Sequence, residues 1–328
     1  MKILITGGTG FIGSRLALRC QTDGHTVRVF GQENTDAESL NRQLLEERGV
    51  EVVVGSVTQR DAVTEAVQDA DIVFHLAATQ HEMNVPDEKF WHVNVDGTQR
   101  MVDASAQAAV RRFVHGSTIG VYGWLPGTID ESSPCAPDNI YGTTKLEGEK
   151  RALSFRKALD VVVIRIPETY GPGDRRLLKL FRAINRGTFF LIGKGENVHH
   201  PIFVDDLIDG LLEAAASDDA VGEVLLLAGK DPVTTAGMVA AIAAALGRRP
   251  PRLRAPLAPF LAAATVLELT LRPLGVQPPL HRRRLDFFRK SFTLSAKKAE
   301  RLLGFSPVVS FEEGARRTAA WYRETGLL

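Results

Sequence analysis

The stretch "KILITGGTGFIGS" (Lys2 to Ser14) limits this chain more than any other. A short β-rich run passes into a turn with glycines at Gly7, Gly10 and Gly13, and a helical pattern begins inside that turn. Gly7 permits the tight turn, Gly10 lets the backbone approach a pyrophosphate, and Gly13 lets the helix lie close on the strand. The helix start then offers unpaired N–H groups and a partial positive charge to phosphate. Such a unit opens a parallel α/β sheet, and a dinucleotide is the ligand it suits.

The rest of the chain agrees with that opening. "KILIT", "TVRVF", "EVVVG", "DIVFHLA", "RFVHGS" and "VVVIRI" read as six strands, nearly continuous in apolar character, as strands covered on both faces are. Helical patterns at 13–21, 37–48, 60–68, 95–108 and 141–159 alternate with them, which implies βαβ units with right-handed crossovers. The expected class is α/β: a Rossmann doubly wound parallel sheet with a smaller C-terminal substrate-binding lobe. Residues 1–172 form the nucleotide domain, with a returning segment at about 198–228, and 173–328 form mainly the lobe. A length of 328 residues suits this plan.

A formal net charge of +1 gives no electrostatic reason to expect nucleic acid. Cys20 and Cys135 cannot build a disulfide framework and lack metal-ligand spacing. "MKILITGG" runs directly into strand and turn rather than resembling a signal peptide, so a cytoplasmic setting is expected. The apolar run from Ala255 to Leu271 holds Pro256, Pro259 and Glu268 and is short for a membrane span of ~20 residues. It reads as a buried helix, as an apolar cap over a substrate, or as a helix resting on a membrane surface.

Taken in order, T-G-G-x-G-F-I-G, "HLAA" (75–78), "NVDGT" (94–98), "STIGVYG" (117–123), Y-G-x-x-K and "RIPETYGPGD" resemble the extended short-chain dehydrogenase/reductase superfamily. "YGPGDRRLL" and "AKKAERLLGFSP" with "SFEEGARRTAAWY" are most similar to its 3β-hydroxysteroid-dehydrogenase-like branch, and nucleotide-sugar epimerases and dehydratases compete closely. The resemblance implies a cofactor set of Gly7, Gly10, Phe11, Ile12, Gly13, Gln32, Ser56, Val57, Leu76, Ala77, Ala78, Asn94, Ser117, Tyr141, Lys145 and Pro167. Ala77 and Ala78 would line the cleft, Asn94 support the catalytic strand, and Pro167 lie beside the nicotinamide. Two positions depart from the pattern. Gly31 stands where an NAD-preferring relative shows an acid, and Ser56 where relatives usually carry Asp near the adenine. The cofactor is NAD or NADP, and Gln32 can hydrogen-bond to either.

By themselves, Tyr141 and Lys145 fit an ordinary surface helix with a packed Tyr and a solvated Lys. Within the resemblance, they are catalytic together with Thr118. Spacing of four puts both side chains on one helix face. An ammonium about 5 Å from a phenol, at an effective dielectric of ~20, favours the phenolate by roughly 3 kcal/mol. That is about two pKa units on a group that normally titrates near ~10. Thr118 takes the position that is usually Ser or Thr, with Ser117 as its cofactor-side neighbour. No metal is called for, since hydride transfer needs the cofactor and a proton relay. His75, His199 and His200 lack ligand spacing.

Relatives acting on nucleotide sugars carry an Asn after the sixth strand and an Arg near the later hairpin. Here Glu168 and His199 stand there, a repulsive carboxylate and a weaker clamp for a diphosphate. Arg175, Arg176 or the "HRRR" run (281–284) offer another clamp. The first reading is therefore an NAD(P)-dependent oxidoreductase interconverting hydroxyl and ketone on an apolar, sterol-like small molecule. The alternative is an NAD-dependent nucleotide-sugar epimerase or dehydratase, and a third is a non-catalytic NAD(P)-binding scaffold. The partners expected are a small-molecule substrate, a second copy in a homodimer and a membrane surface in peripheral contact, but no nucleic acid.

Overall fold

The computed structural model describes residues 1–80, 85–271, 278, 280 and 282–328. Seven strands form one parallel sheet: β1 (Lys2–Thr6), β2 (Thr26–Gly31), β3 (Glu51–Val54), β4 (Ile72–His75), β5 (Arg112–Thr118), β6 (Asp160–Ile166) and β7 (Val224–Leu226). Their spatial order is β3-β2-β1-β4-β5-β6-β7. The order reverses at β1, which pairs with β2 on one side and β4 on the other. A crevice opens beyond the strand ends at such a switch point, and ligands of this sheet type bind there.

The helices of this part are α1 (Phe11–Thr22), α2 (Asp36–Glu47), α3 (Arg60–Val67), α4 (Gly97–Gln107) and α5 (Ile140–Ser154). Further on come α6 (Leu178–Asn185), α7 (Val204–Ala216), α8 (Thr235–Ala245), α9 (Leu257–Leu271) and α10 (Phe311–Glu324). Along β1, Ile3 and Ile5 enter a core with Leu16 of α1, Leu45 of α2 and Leu207 of α7. Leu4 points the other way, into a core with Val63 of α3, Met101 of α4 and Ala152 of α5. Both faces are covered, which is why the strands read as unbroken apolar runs; each buried Leu or Ile contributes about 1.5–3 kcal/mol. A third core joins Phe181 of α6, Ile242 of α8 and Ala315 and Tyr322 of α10.

Three expectations shift in detail. The helix expected to reach Leu159 ends at Ser154, and Leu159 N–H bonds Phe155 O as the chain turns into β6. The fourth strand stops at His75 rather than Ala77, because Leu76 and Ala77 swing against the Gly7 turn. Residues 255–271 are not a buried helix: only Ala264 and Glu268 of α9 are buried. Its inner side packs on Ile192, Leu285 and Phe288, and its outer side faces away from the protein.

Candidate functional site

Gly7 has φ +68°, and a Cβ there would lie 2.8 Å from Ala77 N. A Cβ on Gly13 would lie 2.4 Å from Gly7 O, so α1 can approach the turn only through glycine. At Gly10 the situation differs: a Cβ would meet Gly7 O at 3.2 Å and no other nearby segment. Helix α1 has no side-chain cap and no acid in its first turn. Unpaired amides without a competing carboxylate, beside a position where only glycine leaves room, fit the pyrophosphate of a dinucleotide. Phe11 and Ile12, partly exposed, follow in that first turn, and Gly173 (φ +103°) comes so close that its Cβ would sit 2.9 Å from Phe11 Cδ2.

The end of β2 explains one departure. A Cβ on Gly31 would lie 2.8 Å from Thr9 Oγ1, which donates to Gln32 O at 2.8 Å. Thr9 therefore fills the space an acidic residue would need. The Gln32 side chain is exposed. Nearby on α2, Arg42 is held by Glu33 and, at 2.8 Å, by Glu46. Ser56 Oγ is engaged locally, 2.8 Å from Thr58 Oγ1, and Val57 is buried against Gly97. Leu76, Ala77 and Ala78 follow β4 with partial exposure, on the crevice. Asn94 sits in a π-helical turn (His92–Asp96), accepts from Thr79 N at 2.8 Å and donates to Thr144 Oγ1 at 3.0 Å. It thus ties the end of β4 to α5.

Helix α5 starts at an Asn139 cap and presses its first turn on the loop after β5, where a Cβ on Gly142 would lie 2.4 Å from Gly120 O. That contact sets Tyr141 against the Thr118 hydroxyl, to which it hydrogen-bonds. One turn further, Lys145 is buried and donates from Nζ to Gly116 O at 2.6 Å. Both side chains thus reach the end of β5 from one helix face. Burial pushes the Tyr141 phenol up to about 12, opposed by the Thr118 bond and the Arg176 charge. Burial lowers Lys145 to about 8, while Glu149 pulls it back up. The groups acting on the phenol here are Thr118 and Arg176, whereas the sequence argument relied on Lys145.

Glu149 extends the stripe by another turn and was missed. It accepts from Ser117 Oγ and, at 2.9 Å, from Arg165 Nη2; Arg165 also donates to Tyr122 Oη at 2.8 Å. All four residues are buried. A signal existed: Arg165 interrupts the apolar run "VVVIRI" and needs a buried partner, and Glu149 stands four residues after Lys145. Glu149→Gln is expected to cost about 3 kcal/mol of stability by leaving the buried Arg165 charge without a counter-charge. It should also lower Lys145 below about 8, since Glu149 raises it. Thermal melts read the first effect, and an alkaline limb of the pH–rate profile moved to lower pH reads the second.

His75 donates from Nε2 to Thr98 Oγ1 at 3.0 Å and accepts from Thr6 Oγ1 at 2.7 Å, because the Thr98 proton already goes to Asn94 O. Burial lowers it to about 3, so it is a neutral strand-end residue. Beyond β6, Pro167 is buried and Glu168 is exposed, its carboxylate 3.4 Å from His199 Nδ1. His199 and Arg176 hold that carboxylate below its usual range against the opposing effect of burial. Arg176 itself is anchored on Asp174 at 3.0 Å and keeps most of its side chain exposed. Of the "HRRR" run, His281 and the side chains of Arg283 and Arg284 lie outside the described residues, and Arg282 pairs with Glu268 at 3.2 Å. Among the described residues, no group of three His, Cys, Asp or Glu side chains is arranged to hold a metal ion.

A profile of the NAD dependent epimerase/dehydratase family matches residues 3–228. The dTDP-glucose 4,6-dehydratase of Streptomyces niveus is 30% identical over 99% of this chain and 93% of its own length. The 3beta-hydroxysteroid-dehydrogenase/decarboxylase isoform 2 of Arabidopsis thaliana is 27% identical over 96% of this chain, but only 61% of the plant protein is covered. Among solved structures, MoeE5 in complex with UDP-glucose and NAD is similar with a TM-score of 0.78 and 25% identity, covering 99% of each chain.

Proposed function

The chain belongs to the NAD dependent epimerase/dehydratase family, and from that premise we infer that its substrate is a sugar carried on a nucleoside diphosphate. The observation that carries this reading is the charged lining beside Tyr141. The Arg176 charge acts on both Tyr141 and Glu168, and an apolar substrate packed there would desolvate these charged groups while offering neither a new polar contact. The Glu168 carboxylate does not repel a diphosphate as a bare charge, since His199 and Arg176 balance it. Arg176 is a cation for the phosphate or sugar acid. Helix α9 is not a cap over the substrate in this reading, as its packed side covers Ile192 and Leu285.

A bound nicotinamide supplies the place that accepts hydride and gives it back. Thr118 Oγ1 and Tyr141 Oη hold the reacting hydroxyl, and Tyr141 takes its proton as the carbonyl forms. Lys145 keeps a positive charge below them, and Asn94 fixes the spacing between β4 and α5. Ala77, Ala78 and Pro167 wall the cleft. NAD is the proposed cofactor: MoeE5 carries it, and Arg42, a cation on α2 near the β2 end, is already held by Glu33 and Glu46. Residues 173–328 are the proposed substrate lobe, apart from α7 and β7. A homodimer through α4 and α5 is likewise proposed, and a sedimentation mass of one chain at micromolar concentration would remove it.

A second reading, oxidation of a hydroxyl on an apolar molecule, is favoured by the similarity to the Arabidopsis enzyme. The two separate on one assay. Incubation with UDP-glucose or dTDP-glucose is expected to change the sugar with no net change in nicotinamide absorbance. A sterol-like alcohol that drives net NADH formation, with both sugar nucleotides inert, would overturn the first reading.

A further inference from the structure

Helix α9 shows a long apolar face to the outside. Ala258, Pro259, Ala262, Ala263, Val266 and Leu269 are all exposed, recur at helical spacing and include no charge. Val266 is 59% and Leu269 71% exposed. Thr270, also on this side, turns its hydroxyl back to Val266 O at 2.9 Å. Phe190, itself exposed, packs on Phe260 at a ring distance of 6.0 Å and extends the patch. The segment leading into the helix is basic: Arg248, Arg249, Arg252 and Arg254 are exposed, and between them Leu253 is 76% exposed. From Pro232 to Leu267 the chain carries no Asp or Glu, although its formal net charge is only +1. The first acid beyond, Glu268, is buried and paired with Arg282.

We propose that the outer face of α9, with the arginines Arg248, Arg249, Arg252 and Arg254 at its N-terminal end, docks the protein on an anionic lipid bilayer. The helix has 15 residues, about 22 Å of length, well short of the ~30 Å hydrocarbon core. It therefore lies in the plane of the interface, with apolar side chains at the acyl boundary and guanidinium groups among the headgroups. Charge decides between the candidate occupants. A second copy meeting this face across a twofold axis would offer the arginines no counter-charge, since the segment from Pro232 to Leu267 holds no acid and Glu268 is buried and paired. An anionic surface neutralises them instead.

The test is cosedimentation of the whole 328-residue chain with vesicles of phosphatidylcholine, alone or mixed with phosphatidylglycerol, at low and high salt. Partition onto the mixed vesicles should exceed that onto the neutral ones by about tenfold or more and fall with salt. Arg252→Gln with Arg254→Gln should lose about fivefold per arginine on the mixed vesicles. Val266→Ser with Leu269→Ser should bind neither kind of vesicle while keeping the wild-type melting temperature, since both side chains are exposed. Equal partition onto both kinds, binding to neither, or undiminished binding of the serine variant would overturn the proposal. So would self-association without vesicle binding, abolished by the serine variant, because a second copy would then cover the face.

Discussion

Tyr141→Phe is expected to reduce turnover by about 10²–10⁴-fold, the usual contribution of a positioned proton carrier, while leaving NAD affinity almost unchanged. The substitution removes one oxygen and nothing else. Tyr141 is partly exposed, and the atom lost is the one bonded to Thr118. No core cavity opens, and the glycine turn that fits the pyrophosphate is made by other residues. The phenol stands near about 12 in the protein alone, raised by burial. It is protonated at neutral pH, so it can donate to a carbonyl oxygen directly. Taking a proton from a hydroxyl requires more positive charge than Arg176 already supplies, which an oxidised nicotinamide provides. Steady-state rates with calorimetric titration of NAD separate the two effects. A Phe variant that kept more than about a tenth of the wild-type rate would show that another group carries the proton.

What the sequence made legible was whatever depends on short spacing. The glycines of the first turn, the apolar strands and the four-residue step from Tyr141 to Lys145 are local patterns, and their alternation with helices is enough to imply a doubly wound parallel sheet. Contacts across the fold were harder to read. Glu149 looks like one more charge on a surface helix until β6 brings Arg165 beneath it. Arg176 is far from Tyr141 in the chain, yet its charge acts on the phenol. Gly142 and Gly148 pass for ordinary helix glycines, but Cβ atoms there would lie 2.4 Å from Gly120 O and 2.6 Å from Asn94 O. The fate of the apolar run ending at Leu271 was equally hidden, because hydrophobicity does not reveal which side of a peripheral helix finds a partner.

Gly10→Val should have the opposite signature to Tyr141→Phe: a folded protein that no longer binds the dinucleotide. Gly10 has φ −73° and ψ 177°, a conformation open to any residue, so no backbone strain opposes the change. Its Cβ would meet Gly7 O at 3.2 Å, a contact relieved by a small shift. Loss of a glycine N-cap costs helix α1 about 1 kcal/mol, within reach of a typical stability of 5–15 kcal/mol. The two methyl groups, however, occupy the approach that the pyrophosphate needs to reach the first-turn amides. An affinity loss of about 100-fold or more is expected, close to 3 kcal/mol. Gly7→Val cannot give this separation. With φ +68° and a Cβ 2.8 Å from Ala77 N, it would disturb the β1–β4 crevice itself and lower the melting temperature. The Gly10 variant therefore tests the site and not the fold. If calorimetry found NAD binding to it within about tenfold of wild type, the dinucleotide would not lie on this turn, and the role assigned to Tyr141 would lose the neighbour it depends on.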